Sequence, residues 1–335
     1  MQITVSIIIP HLKGKTNLSE CIQSIDKKKN YEIIIVDNSS SDNSINYVKN
    51  KFPEVNIIKS KYNRGYAGGC NLGAKYAKGE YLFFLNDDTI LTKNTTEILL
   101  SILKENKQVA SVQPKILNYF NKNYFDYAGA SGGYIDYLGY PFARGRIFNE
   151  IEEDNNQYND KKKIFWASGT AFMTKKLIFN KINKFDEKLF AHMEEVDYHW
   201  KSILYGYDVY VEPKATIYHK GAQTLKYGSF KKTYLNHRNS MILLLTNNLS
   251  LTKLNFAKRL FLELVAIFYY IFKFDFKSGF AVLSANFWLL FNVQYILKRK
   301  SNIKKNAKIK DSDLILNKSI VWKYFIKNIK TFNKI

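Results

Sequence analysis

Cysteine is scarce in this chain of 335 residues, where only Cys21 and Cys70 occur. Two thiols exclude a disulfide framework, and no Cys/His grouping has the spacing of a zinc site. Long hydrophobic runs are missing too. The most apolar stretches, "LFLELVAIFYYIF" (260–272) and "GFAVLSANFWLLF" (279–291), reach about 13 residues each, against the roughly 20 that a spanning helix needs. The opening "MQITVSIIIP" has neither the basic region nor the apolar stretch of a secretory signal, so it reads as a first strand and sets the expectation of a cytoplasmic location. Acidic residues are in deficit, 29 against 51 Lys+Arg, for a net charge of +22. No helix-turn-helix, zinc-finger or RNA-recognition signature accompanies that charge, so no nucleic-acid partner is expected.

The distribution of charge points instead to an anionic membrane surface. From residue 251 onward there are 17 Lys+Arg and 4 Asp+Glu, in the same region as the two apolar runs. Apolar helices flanked by lysine suit an interfacial mode on the inner face of the cell membrane. An ordinary helical subdomain with a basic surface would have the same composition.

What is present is an alternation of short apolar runs with helical patterns. Runs at 5–9, 33–36, 55–58 and 81–85 read as strands, and Leu18, Cys21, Ile22 and Ile25 share one helical face. Further helices are expected after Asp42 and through 71–77. Continuous apolar strands separated by helices imply an α/β fold with a mostly parallel sheet covered on both faces, its site at the carboxyl ends of the strands. Residues 118–160 dissolve into Tyr, Gly, Asn and acidic residues, which suggests loops and irregular strands over that site. A strand is expected over 164–174, then a helix from about 195 to 205, then two short strands, "DVYVEP" and "ATIYH". The chain divides into a domain at 1–248 and a helical, basic region at 249–335.

Four stretches could carry chemistry. "VDNSSSDNS" puts Asp37 and Asn38 at the end of the second strand, where a ribose or base is read in such sheets, while Ser41 or Asp42 could simply cap the next helix. "NRGYAGGCNLGAKYAKG" is rich in glycine and opens a helix behind Arg64, yet it matches no specific phosphate-loop pattern. In "FFLNDDTI", Asp87 and Asp88 end an apolar strand, fitting either an octahedral Mg²⁺ or Mn²⁺ or a turn that caps a helix. "HMEEVDYHW" crowds Glu194, Glu195 and Asp197 into a helix start. The helix dipole favours carboxylates there, and mutual repulsion would raise one of them toward the range of a general base. His219, ending "ATIYH", is either a ligand for metal or phosphate or a structural histidine.

Taken in order over about residues 3–245, these pieces resemble a family 2 inverting glycosyltransferase of the GT-A fold, with the rhamnosyltransferase-like branch nearest in look. The resemblance implies a nucleotide-sugar donor (dTDP-, UDP- or GDP-linked), a glycan or lipid-linked acceptor and a Mn²⁺ or Mg²⁺ cofactor. Pro10, Asp37 and Asn38 then fall beside the base and ribose. Arg64 and Gly65 fall in an N-R-G turn beside the diphosphate, and Asn86-Asp87-Asp88 on the Asp-x-Asp element. Asp88 is implied as metal ligand and Asp87 lies close to the sugar nucleotide, where a neutral residue would be tolerated. Gly169 lines the sugar and acceptor side, and His219 lies near the diphosphate and metal. Glu194-Glu195 falls on the acidic pair whose second member is the base, with Glu194 and Asp197 as its neighbours. "PHLKG" departs from the P-x-Y-N that relatives often have. Two other readings compete. A nucleotidyltransferase would need a basic, Gly-rich loop after the first strand, and a catalytically silent membrane-bound scaffold would keep the fold alone.

Overall fold

The computed structural model describes residues 2–221 and 229–335. The four expected apolar runs form parallel strands, Val5–His11, Tyr31–Asp37, Asn56–Lys59 and Tyr81–Leu85. Val5–His11 lies between Tyr31–Asp37 and Tyr81–Leu85. Beyond Tyr81–Leu85 the sheet continues through antiparallel Ala171–Lys175 to Val109–Asn118, Asp208–His219 and the edge strand Lys162–Lys163. Six of the eight strands on this path therefore run the same way. The sheet is mixed but mostly parallel.

Alternation along each strand divides the core into two layers. Ile8, Ile34 and Phe84 pack with Ala67, Cys70 and Ala74 of the helix Gly65–Tyr76. Ile7, Ile9, Ile35 and Phe83 pack with Leu18 and Ile22 of Lys15–Ser24 and with Leu99 of Thr95–Glu105. Burial on both faces is why these strands read as continuous apolar runs.

Three expectations need correction. The strand foreseen over 164–174 is only Ala171–Lys175, because the chain turns at Ser168, whose carbonyl accepts the Ala171 amide at 3.2 Å. "DVYVEP" and "ATIYH" are one bent strand, Asp208–His219. Its register slips between Glu212 and Thr216, where Pro213 offers no amide. The third helix begins at Gly65, well before residue 71.

The stretch 118–160 does contain short strands. Gly133–Asp136, Pro141–Ala143, Arg146–Ile147 and Glu150–Ile151 form a second sheet, completed by Ile315–Leu316 from the far end of the chain. The region after residue 248 is helical, with Lys253–Phe272, Phe276–Phe291 and Val293–Asn306, and it folds back onto the rest of the molecule.

Candidate active site

The carboxyl ends of the parallel strands gather most of the expected residues. Asp87 and Asp88 follow Tyr81–Leu85, anchored by the Asn86 amide, which donates to the Thr170 carbonyl at 2.9 Å. Asp87 Oδ2 lies 2.6 Å from His11 Nδ1, and His11 Nε2 is 2.7 Å from the Ser44 hydroxyl, itself bonded to Asp42. Burial raises the Asp87 carboxyl, and the His11 contact only partly offsets this. His11 escaped the sequence reading, although it sits in the departing "PHLKG" corner.

Asp88 faces the other way, its Oδ1 3.1 Å from His219 Nε2. His219 Nδ1 donates to Asp126 Oδ1 at 2.9 Å. Burial opposes charge on His219, but the flanking carboxylates of Asp88 and Asp126 overcome it and raise the imidazole to about 10. Burial would likewise raise Asp88, yet His219 and Lys220 hold it below the ordinary carboxylate range. Asp126 was not foreseen, since it lies in an irregular stretch without periodicity.

This set fits the divalent metal that the resemblance implies. Asp88 Oδ1 is buried without a well-formed hydrogen bond, and it faces an imidazole whose second nitrogen is oriented by a carboxylate. Oxygen plus imidazole suits Mn²⁺, with waters and phosphate oxygens able to complete the shell. Among the described residues, no three His, Cys, Asp or Glu side chains converge into a complete cage.

The nucleotide-side residues divide in two. Asp37 keeps Oδ1 on the Ser40 amide and hydroxyl, and Pro10 packs against Gly69. Asn38 does not face a ligand as expected. It is buried with its amide spent on the N-R-G turn, accepting from the Arg64 amide at 2.8 Å and donating to the Gly65 carbonyl at 3.0 Å. Arg64 pairs with Glu187 at 2.8 Å, a partner the sequence did not suggest. Gly65 has φ +68°, and a Cβ there would lie 2.2 Å from the Phe190 carbonyl oxygen, so only glycine fits.

That contact ties the turn to the acidic pair. Residues 190, 192 and 193 precede the helix Glu194–Leu204, and Phe190, His192 and Met193 all have positive φ, 66°, 66° and 72°. Met193 is left-handed, and Phe190 (ψ −63°) is the centre of a γ-turn closed by the Ala191 amide on the Leu189 carbonyl at 2.8 Å. Such strain persists only where the surroundings enforce it. Here Asn239 does so, its Nδ2 lying 2.9, 3.1 and 2.7 Å from the carbonyls of Leu189, Ala191 and His192. Arg238 donates to the Lys188 carbonyl at 2.8 Å. Neither residue carries a sequence signal beyond a polar "HRN" shortly before the apolar run "MILLL" of the same helix. Asn239→Ala is expected to lower kcat about tenfold while leaving nucleotide affinity unchanged, which steady-state kinetics beside calorimetry will resolve.

Glu194 is buried and Glu195 half-buried, and each has an oxygen without a hydrogen-bond partner. Burial pushes Glu195 up to about 7, and burial together with the Glu195 charge drives Glu194 well upward. Tyr66 borders the pair and donates its hydroxyl to the Gly169 carbonyl, one residue from the Thr170 that anchors Asn86. The acidic pair and the Asp87–Asp88 end are thus joined through residues 169–170. Asp197 does not belong to this group. It is fully buried between Lys201, at 2.9 Å, and Arg299, with Asn247 donating at 2.8 Å. Despite burial, these partners hold it far below the ordinary carboxylate range, as a structural anion rather than a base.

The sequence profile described as Glycosyl transferase family 2 matches residues 6–182. Among curated relatives, glycosyltransferase GlyG of Streptococcus pneumoniae is 27% identical over 201 residues, 56% of this chain and 64% of GlyG. The UDP-Glc:α-D-GlcNAc-diphosphoundecaprenol β-1,3-glucosyltransferase WfgD of Escherichia coli is 31% identical over 105 residues, 30% of this chain and 42% of WfgD. The chain thus spans less than two thirds of the length of these relatives. Among solved structures, GalNAc-T7 with UDP, GalNAc and Mn²⁺ superposes with a TM-score of 0.58 at 16% identity, over 72% of this chain and 48% of that one. This likeness is one of fold.

Proposed function

Because the chain belongs to glycosyl transferase family 2, we propose that it moves a hexose, rhamnose or another, from a nucleoside-diphosphate donor to a hydroxyl of a lipid-linked or polymeric glycan, with inversion. The observation that carries this reading is the half-buried Glu195, raised to about 7 and joined through residues 169–170 to the Asp87–Asp88 strand end. A carboxylate with that affinity for protons is matched to general-base work near neutral pH. In the proposed reaction Glu195 takes the proton of the acceptor hydroxyl, and the new C–O bond forms on the face of the anomeric carbon opposite the diphosphate. The bond to the diphosphate breaks, and the proton stays on Glu195. Asp88 and His219 would hold the divalent cation, which supplies Lewis-acid stabilisation of the departing diphosphate.

The name of WfgD, with its diphosphoundecaprenol acceptor, and the UDP and Mn²⁺ in GalNAc-T7 support the lipid-linked acceptor and the metal-assisted donor. The proposed location is the cytoplasmic face of the cell membrane, where a lipid-linked acceptor is met. Isothermal titration of UDP with and without Mn²⁺ tests the donor side. Asp88→Asn is expected to lower the Mn²⁺-dependent affinity about a hundredfold. Equal affinity in the variant, with and without chelator, removes Asp88 as a ligand.

A further inference from the structure

The helices Lys253–Phe272 and Phe276–Phe291 form a hairpin, and in the first of them the amphipathicity is inverted, while the second also buries Ala281, Val282, Ala285 and Leu289. On the first helix the only buried residues are charged, Arg259 and Glu263. Glu263 Oε2 lies 2.7 Å from His237 Nδ1, while Arg259 donates to Glu263, to the Ser240 hydroxyl and to the Leu138 carbonyl at 2.9, 2.7 and 2.7 Å. The polar face therefore points into the protein.

The apolar face points out. Phe261, Leu264, Phe268 and Phe272 follow one helical stripe and are 64, 55, 58 and 79% exposed. Phe274 at the hairpin tip and Phe280, Phe287 and Phe291 on the second helix continue the patch. No charged residue occurs between 278 and 297, and the only one between 260 and 272 is the inward Glu263. So many large apolar side chains exposed on both helices of one hairpin mark an interaction surface.

We propose that this hairpin lies in the interface of an anionic lipid bilayer, apolar face down and tip inserted. Charge selects the occupant. Exposed Lys273 and Lys277 frame the tip, and exposed Lys253 and Lys258 frame the other end. A second copy of the chain would bring like-charged lysines together, whereas anionic headgroups pair with all of them. The hairpin lies on the bilayer rather than crossing it. No single helix among the described residues is long and apolar enough to cross, and only the bent pair Phe276–Phe291 and Val293–Asn306 passes by length and composition. The second member of that pair is held by Arg299 in the buried contact with Asp197.

A relay of ring contacts leads from this face to the loop before the acidic pair. The Phe280 ring is 6.1 Å from Phe230, at the start of the helix Phe230–Asn247, and the neighbouring Lys231 Nζ lies 4.0 Å over the Phe190 ring. Phe190 belongs to the strained loop that leads into Glu194. Docking would thus set the acceptor side of the site at the headgroup level, a purpose that rests on the lipid-linked acceptor proposed above.

Flotation of the full chain with vesicles tests the inference. Wild-type protein is expected to float with phosphatidylcholine/phosphatidylglycerol vesicles and far less with phosphatidylcholine alone. Phe272→Ser/Phe274→Ser and, separately, Lys273→Glu/Lys277→Glu are expected to reduce flotation about tenfold or more, with the UDP/Mn²⁺ thermal shift preserved. Absence of flotation in the wild type, or flotation unchanged in both variants, overturns the proposal. So does light scattering showing a wild-type dimer that the phenylalanine variant dissociates, since a second copy then covers the face. Loss of the UDP response with flotation intact counts against the proposed function and leaves the membrane assignment standing.

Discussion

Glu195→Gln should retain UDP/Mn²⁺ binding and lose about three orders of magnitude in sugar transfer, measured with the same acceptor for both proteins. Glutamine keeps the shape of the side chain and removes only its capacity to take a proton. With Glu195 raised to about 7, wild-type turnover should climb about tenfold per pH unit below that value and level off above it, a limb absent from the residual activity of the variant. Stability supplies an independent check with a definite sign. The folded protein holds the Glu195 proton more tightly than the unfolded chain, where the ordinary value is 4.5. The contribution of that proton is therefore complete below about pH 4.5 and is lost as pH rises through about 7. At pH 8 the wild type carries an ionised, half-buried Glu195 and the variant does not, so the variant should melt higher. A variant that is inactive and also melts lower at pH 8 has lost structure and its inactivity does not identify the base, whereas a folded variant with near-normal turnover passes that role to Glu194.

The sequence carried the strand–helix alternation because both faces of the parallel strands are buried, which writes burial into uninterrupted apolar runs. It also carried Asp88 and His219, each at the end of such a run. Partners supplied from elsewhere were not legible. Asp126 lies in irregular chain, His11 is a single imidazole after a strand, and Asn239 acts through backbone carbonyls that only the folded loop brings within 3.1 Å. Asn38 was read as facing a ligand because strand ends in such sheets usually do, yet its amide fills its valences on the N-R-G turn. In the C-terminal region, composition revealed apolar helices with lysine flanks. Which face turned outward depended on the inward ion pair of Arg259 and Glu263, to which hydropathy is blind.

Asp197 was grouped with the acidic pair on spacing, and its actual environment leads to the largest expected effect on stability. Arg299→Met should destabilise the protein by about 3–5 kcal/mol, read from the urea midpoint, because it leaves a buried carboxylate without its strongest partner. Lys201 and Asn247 remain, at 2.9 and 2.8 Å, but Lys201 lies on the same helix as Asp197 and cannot tie it to the C-terminal region. Arg299 also holds Asp186 at 3.0 Å, so the loop before the acidic pair loosens in the same step. Asp197 is held below its ordinary range in the folded protein, so its contribution is present at neutral pH and lost as pH falls through the acid range. The Arg299→Met deficit should shrink accordingly on acidification. Adding Asp197→Asn to Arg299→Met should recover stability relative to Arg299→Met alone, since the uncompensated charge is then gone. Additive losses would show that the two residues act separately. For the same reason a truncation after residue 248 removes Arg299 along with the hairpin and reports on folding, and point substitutions on the hairpin are what isolate its contact with lipid.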